Sequence, residues 1–143
     1  MGYWNLPERN ADVFRRDANG VRWYRTGDIV IEPPDGALLF RGRRDRMVKK
    51  RGFRIELGEI EVALYRHPEV KEVAVVAVPD EENGVRIRAF LSCRGPRPSI
   101  IKLKQFCADH LVGYMIPDQF VLLDDLPKTS TDKTDYQALK ELA

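Results

Sequence analysis

The chain has 143 residues, 43% of them hydrophobic and 32% charged, which suits one compact domain, alone or with a remnant of another. Its 24 basic and 22 acidic residues leave a net charge of only +2, which excludes a polyanion grip spread over the whole surface. No segment reaches the apolar length of a membrane span, the first residues carry no secretory pattern, and Cys93 and Cys107 lack metal-ligand spacing. The expectation is a reduced, cytoplasmic setting with no membrane contact and no metal site.

Residues 1–20 read as a polar connection ending in a turn at Asn19-Gly20. WYRTGDIVIE is strand material, stopped by the turn residues Pro34, Asp35 and Gly36, and ALLFRGR follows as its partner. Residues 21–43 therefore suggest a β-hairpin or meander. MVKKRGFRI holds a second hairpin, with Gly52 supplying a bend that other residues resist. In LGEIEVALYRHPEV, Ile60, Ala63, Leu64 and His67 recur at helical spacing, Glu59 and Glu61 suit the positive end of the helix dipole, and Pro68 marks the end.

VAVVAV, residues 73–78, is a continuous apolar run, expected as a strand buried on both faces. In VRIRAFLSC, Val85, Ile87, Ala89 and Leu91 alternate with Arg86 and Arg88, the pattern of a half-buried strand. Ser99 is placed to cap a helix whose apolar stripe is Ile100, Leu103, Phe106, Cys107 and Leu111. FVLLDDL is a short strand and TDYQALKEL a last short helix. The order β, α, β, β, α, β, α over residues 46–143 predicts a small α+β domain, a short sheet flanked by helices. Residues 1–44 form no closed unit and read as the β-rich trailing edge of a larger domain.

Four segments then fall in register with a known family. GYWNLPE with Phe14 resembles the pattern GYxNRPExT…F, and YRTGD matches a ribose-contacting motif. GRRDRMVKKRGFRIELGEIE resembles GRxDxQVKIRGxRIELGEIE almost throughout. YMIP at 114–117, and LPKTSTDK with Tyr136 and Leu139, resemble the two closing motifs. Together they resemble the C-terminal portion of the adenylate-forming ligases, the superfamily of acyl-CoA synthetases and luciferases, most closely the amino-acid adenylation domains of nonribosomal peptide synthetases. The resemblance implies a division at residue 45. Residues 1–44 would trail the N-terminal adenylation core, and residues 45–143 would form a mobile C-terminal lid.

It also implies a two-step reaction. ATP and a small carboxylate, an amino acid, give an acyl-adenylate and pyrophosphate; the acyl group then passes to the phosphopantetheine thiol of a carrier protein. The lid turns between the steps and presents a different face to each. Magnesium would accompany the ATP, held outside this chain, and the partners would be the N-terminal core and the carrier protein.

Six residues carry the implied roles. Asp28, read alone, closes a turn after Gly27; in this constellation its carboxylate would accept from the ribose hydroxyls. Arg43 has the planar fork for the ribose or α-phosphate, while Arg41, Arg44 and Arg46 read as solvated. Asp45 matches the hinge. Lys49 and Gly52 lie on the loop brought in for the thioester step, where a glycine admits the thin pantetheine arm. Lys50 and Arg51 read equally as a carrier-facing pair or as a solvated turn. Lys133 is the cation implied to offset charge between carboxylate and α-phosphate. Beside it, Asp132 stands where the family has glycine, leaving open whether that carboxylate neutralises the lysine or reshapes the loop. Met47, Thr134 and Tyr136 also depart from the family pattern. His67 and His110 read as structural or exposed.

Residues 41–54 carry eight basic residues against one acid, Asp45, which by itself suits a nucleic-acid strip. Phe53 is the one ring among them, no nucleic-acid motif surrounds them, and ELGEIE beyond would repel a phosphate backbone. Contacts to a nucleotide and to a pantetheine phosphate explain the charge better. Two further readings stand beside the first: the C-terminal part of an acyl-CoA synthetase, and a non-catalytic interaction module derived from such a domain. The residues quoted contain no phosphate loop, so the segment by itself is expected to form no adenylate.

Overall fold

The computed structural model describes residues 2–34 and 36–143, with Arg41, Gly42 and Asp45 described by their backbone alone. The chain divides into two compact units, Met1–Asp45 and Arg46–Ala143.

The first unit begins with a short helix, α1 (Pro7–Val13), where Pro7 pre-sets the first turn. Strand β1 (Phe14–Arg16) pairs antiparallel with β2 (Arg22–Tyr24) through a turn held by Asp17, whose carboxylate accepts from the Asn19 and Val21 amides and from Trp23 Nε1. Residues 1–20 are therefore more than a connection. None of α1 is buried, so its sequence carries no apolar period by which a helix is read. The expected strand over WYRTGDIVIE splits at Gly27, whose φ of +83° suits glycine. β2 turns back to β1, and β3 (Asp28–Ile31) pairs with β4 (Leu39–Arg43). The Gly36 amide closes onto Pro33 O at 2.9 Å between them; Asp35, expected in that turn, lies outside the described residues.

The second unit opens with the hairpin β5 (Met47–Lys50) and β6 (Phe53–Glu56), followed by helix α2 (Leu57–Tyr65). Strands β7 (Val70–Asp80), β8 (Gly84–Cys93) and β9 (Gln119–Leu122) form one sheet in that order. β7 and β8 are antiparallel, whereas β9 lies parallel to β8 after a crossover through helix α3 (Ile100–His110). Ser99 caps α3 as expected, its Oγ accepting from the Lys102 amide. Helix α4 (Tyr136–Glu141) closes the chain, capped by Asp135.

The period-two pattern of β7 explains the layering. Val73 and Val75 point into one core with Ile55, Ile60, Leu64, Ile87, Leu91, Leu103 and Cys107, so α2 and α3 cover that face. Ala74 and Val76 point the other way, to Phe90, Leu126 and Leu139, so α4 covers the second face. The apolar run is a strand buried on both sides, and the α+β expectation holds as a helix–sheet–helix sandwich. β8 departs from its half-buried reading at Phe90, which α4 covers. Burial pushes the Cys107 thiol up to about 11; Cys93 is half-buried.

Candidate functional site

Asp28 and Arg43 are cross-strand partners in the β3–β4 hairpin, with Arg43 Nη1 3.4 Å from Asp28 Oδ1. Thr26 Oγ1 accepts from the Asp28 amide, and the Arg44 amide donates to Gly27 O at 2.7 Å, fixing both strand ends. The carboxylate and the guanidinium thus stand side by side and partly exposed, 35% and 46% by side chain. Such an open pair offers acceptors and donors at once, as a nucleotide's hydroxyls and phosphate require. Asp45 lies in a 3-10 turn over Arg44–Arg46; its side chain falls outside the described residues.

The two remaining candidate stretches lie on hairpins of the second unit. In the β5–β6 hairpin Lys50 pairs with Phe53, leaving a two-residue turn in which Arg51 has φ +49° and Gly52 φ +83°, the backbone of a type I′ turn. A side chain at Gly52 would meet nothing within 4 Å, so the glycine answers to backbone conformation and leaves open space in front of it. Arginine at positive φ is costly. It is offset by Asn83, whose O accepts from the Arg51 amide at 3.2 Å and whose Oδ1 accepts from Arg51 Nε at 2.6 Å. Lys49 and Arg54 face each other across the ladder, both exposed, a like-charge pair that weakens the hairpin by a few tenths of a kcal/mol.

Lys50 is neither carrier-facing nor solvated. It is 7% exposed, and Nζ donates to both carboxylate oxygens of Asp118 at 2.7 Å. Asp118 also accepts from the Ile87 amide, while Tyr114 stacks on Phe53 at 4.4 Å and 5°. The YMIPD segment is thus the underlay of the KKRG hairpin, a role that nothing in either stretch announces. Arg46 corrects a second expectation: its side chain is 17% exposed and ion-paired to Glu61 at 2.5 Å.

Lys133 sits on the other hairpin. Thr129 and Lys133 bond amide to carbonyl at 2.7 Å, Lys128 bridges Thr134, and the Asp132 amide donates to Thr129 O. Asp132 has φ +60°, the left-handed conformation that glycine favours and Asp tolerates. The loop is therefore built as glycine would build it. No ion pair joins Asp132 to Lys133 among the described residues, and Lys133 is exposed. Lys128 Nζ bonds Glu72, which raises its pKa, with a smaller contribution from Asp132.

The two hairpins are pinned to different ends of one strand. The Lys133 hairpin is held at Glu72, near the start of β7, and the KKRG turn at Asn83, in the turn that follows its last residue, Asp80. From Glu72 to Asp80 a strand runs roughly 25 Å, at about 3.3 Å per residue. His67 meets Phe106 edge-on and His110 stacks on it, both away from these hairpins. Among the described residues, no helix is long and apolar enough to cross a membrane, and no group of three or more acids, histidines or cysteines could hold a metal ion.

The three-stranded sheet and helix α3 lie inside the stretch that one family matches. The AMP-binding enzyme C-terminal domain covers residues 59–133, more than half of the chain, and the chain belongs to that family, the C-terminal domain of the ATP-dependent adenylate-forming ligases. Its sequence stands close to the adenylation domains of nonribosomal peptide synthetases. Phosphinothricin tripeptide synthetase PhsC of Streptomyces viridochromogenes is 45% identical over 147 residues, spanning 98% of this chain and 13% of that protein. The L-proline–[L-prolyl-carrier protein] ligase of Streptomyces coelicolor is 44% identical, spanning 96% of this chain and 25% of that protein. Among solved structures, o-succinylbenzoate CoA synthetase (MenE) of Bacillus subtilis, in complex with its acyl-adenylate intermediate, superposes with a TM-score of 0.78. It is 31% identical, over 98% of this chain and 28% of that one. The chain thus spans a quarter or less of these curated relatives.

Proposed function

We propose that this chain is the C-terminal part of an amino-acid-adenylating enzyme, residues 1–44 belonging to its core and residues 45–143 forming a lid that serves two reactions in turn. In the first, a carboxylate oxygen of the amino acid attacks the α-phosphorus of ATP; aminoacyl-AMP forms and pyrophosphate leaves. In the second, the phosphopantetheine thiol of a carrier protein loses its proton and attacks the acyl carbonyl; a thioester forms and AMP leaves. Relatives that make peptides, and one whose substrate is a prolyl-carrier protein, support the amino acid and the carrier. The likeness to a CoA synthetase structure supports a pantetheine thiol as acceptor, which a carrier protein and coenzyme A share.

Asp28 and Arg43 would hold the ribose and α-phosphate. Lys133 would bring an exposed ammonium against the negative charge that builds between carboxylate and phosphate. Lys49 and Gly52 would border the path of the pantetheine arm. The open space before Gly52 leaves room for it, and the like-charged Lys49–Arg54 face suits a phosphate or an acidic partner. Magnesium would be carried with ATP by residues outside this chain. The observation that carries the reading is the separation of the two hairpins along β7: one rigid sheet cannot bring both to one reacting centre at once.

The test compares the two half-reactions in the full-length ligase. Lys133→Ala should lower amino-acid-dependent ATP–pyrophosphate exchange by about a hundredfold or more and spare thioester formation from preformed adenylate. Equal loss of both would defeat the assignment. The 143-residue chain alone should show no exchange.

A further inference from the structure

The half-buried acid Glu61 has no part in the roles above. It projects from α2, and its Oε1 collects three donors from three elements: Arg46 Nη2 at 2.5 Å, the Val75 amide at 2.8 Å and the Tyr136 hydroxyl at 3.1 Å. Arg46 and Glu61 are only 17% and 14% exposed by side chain, so their attraction is little screened. The Arg46 guanidinium also lies over the Tyr136 ring, 4.1 Å from its centre, which closes the three residues into one cluster. Burial and the neighbouring carboxylate raise the Tyr136 pKa, keeping its hydroxyl a neutral donor.

The positions of the two side-chain donors give the cluster its meaning. Arg46 is the first residue of the second unit, directly after the proposed hinge. Tyr136 opens α4, and the Asp135 that caps this helix also donates its amide to Pro127 O, at the base of the Lys133 hairpin. The second foot of that hairpin is Lys128 on Glu72.

We propose that Glu61 is a positioning residue for the adenylation step: by tying Arg46 to Tyr136 it makes the hinge exit and the lysine hairpin one rigid piece, so that turning at residue 45 delivers Lys133 to a fixed place. The proposal rests on the adenylating role given to Lys133 above. A hydroxyl-to-carboxylate bond and a guanidinium pair act here through geometry, and small misplacements of a catalytic group are costly in rate.

In the full-length ligase, Tyr136→Phe removes only the hydroxyl, and Arg46→Ala removes the other arm. Each should lower kcat for ATP–pyrophosphate exchange by about tenfold, with the KM for ATP and the transfer from preformed adenylate unchanged within about twofold. The double variant should cost no more than the worse single one, because both act through the same carboxylate. Tyr136→Ala, losing ring and hydroxyl, should match the double. Additive losses, or equal losses in both half-reactions tracking a lowered Tm, would show a merely stabilising contact and overturn the proposal. Lys133→Ala measured alongside separates the failures. If it leaves exchange intact, the adenylating role itself falls; if it abolishes exchange while the cycle is additive, only the coupling falls.

Discussion

The two hairpins of the second unit solve one problem with different materials. Each must turn the chain through positive φ. The 50–53 turn does so with Arg51 and Gly52 and steadies the arginine from outside through Asn83. The 129–133 loop uses Asp132 and steadies itself through Thr129. Each is also fastened to the sheet by a lysine, but Lys50 is buried on Asp118 whereas Lys128 stays partly wet on Glu72. The first is part of the core's support and the second is an attachment to it. Because both are fixed to a common sheet, neither can take the other's place by local rearrangement, and the proposed exchange requires the body as a whole to turn.

The strongest way to break this comparison is at the boundary between units. Asp45→Pro, which fixes φ and deletes an amide donor, should slow thioester formation by about a hundredfold, the scale of a misplaced site, while exchange falls much less. Equal rates in both steps would show that the hairpins do not trade places about residue 45. A medium effect is expected from Lys50→Met, read by urea unfolding of the 143-residue chain. It strands Asp118 beside the Ile87 amide and should cost about 2 kcal/mol, less than a fully buried pair because the Asp118 side chain is 35% exposed. The matching change at the wetter anchor, Lys128→Met, should lower the urea midpoint less than Lys50→Met does; a larger loss there than at Lys50 would erase the contrast. The smallest effect belongs to Asp132→Gly, which places glycine where φ is already positive. Exchange should change by less than about twofold, because glycine keeps the same positive φ and leaves the loop that carries Lys133 as it is. A large gain in rate would mean that the carboxylate screens Lys133.

Much of this was legible from local pattern. Val73 to Val76 alternate between two cores as a doubly covered strand must, Ser99 caps α3, and the family motifs lie in order along the chain. Two of the readings that failed are those in which a residue's partner lies far away in sequence. Lys50 and Arg46 sit in a run of basic residues that looks solvated, and only the fold brings Asp118 and Glu61 to them. In the same way, α1 and β1 bury too little to leave a period, so residues 7–16 read as connection. The Asp132 question was open for a different reason: sequence names the residue but not the dihedral that makes aspartate an acceptable stand-in for glycine.

The β3–β4 hairpin carries a practical consequence. Val30, Ile31, Leu39 and Phe40 are 46%, 43%, 55% and 66% exposed, on a sheet of two strands among the described residues. Exposed apolar side chains on a short ribbon invite association with another molecule. Purified by itself, the segment up to Asp45 would be the adhesive part of this polypeptide, and a protein begun at Arg46 would be the easier one to keep in solution.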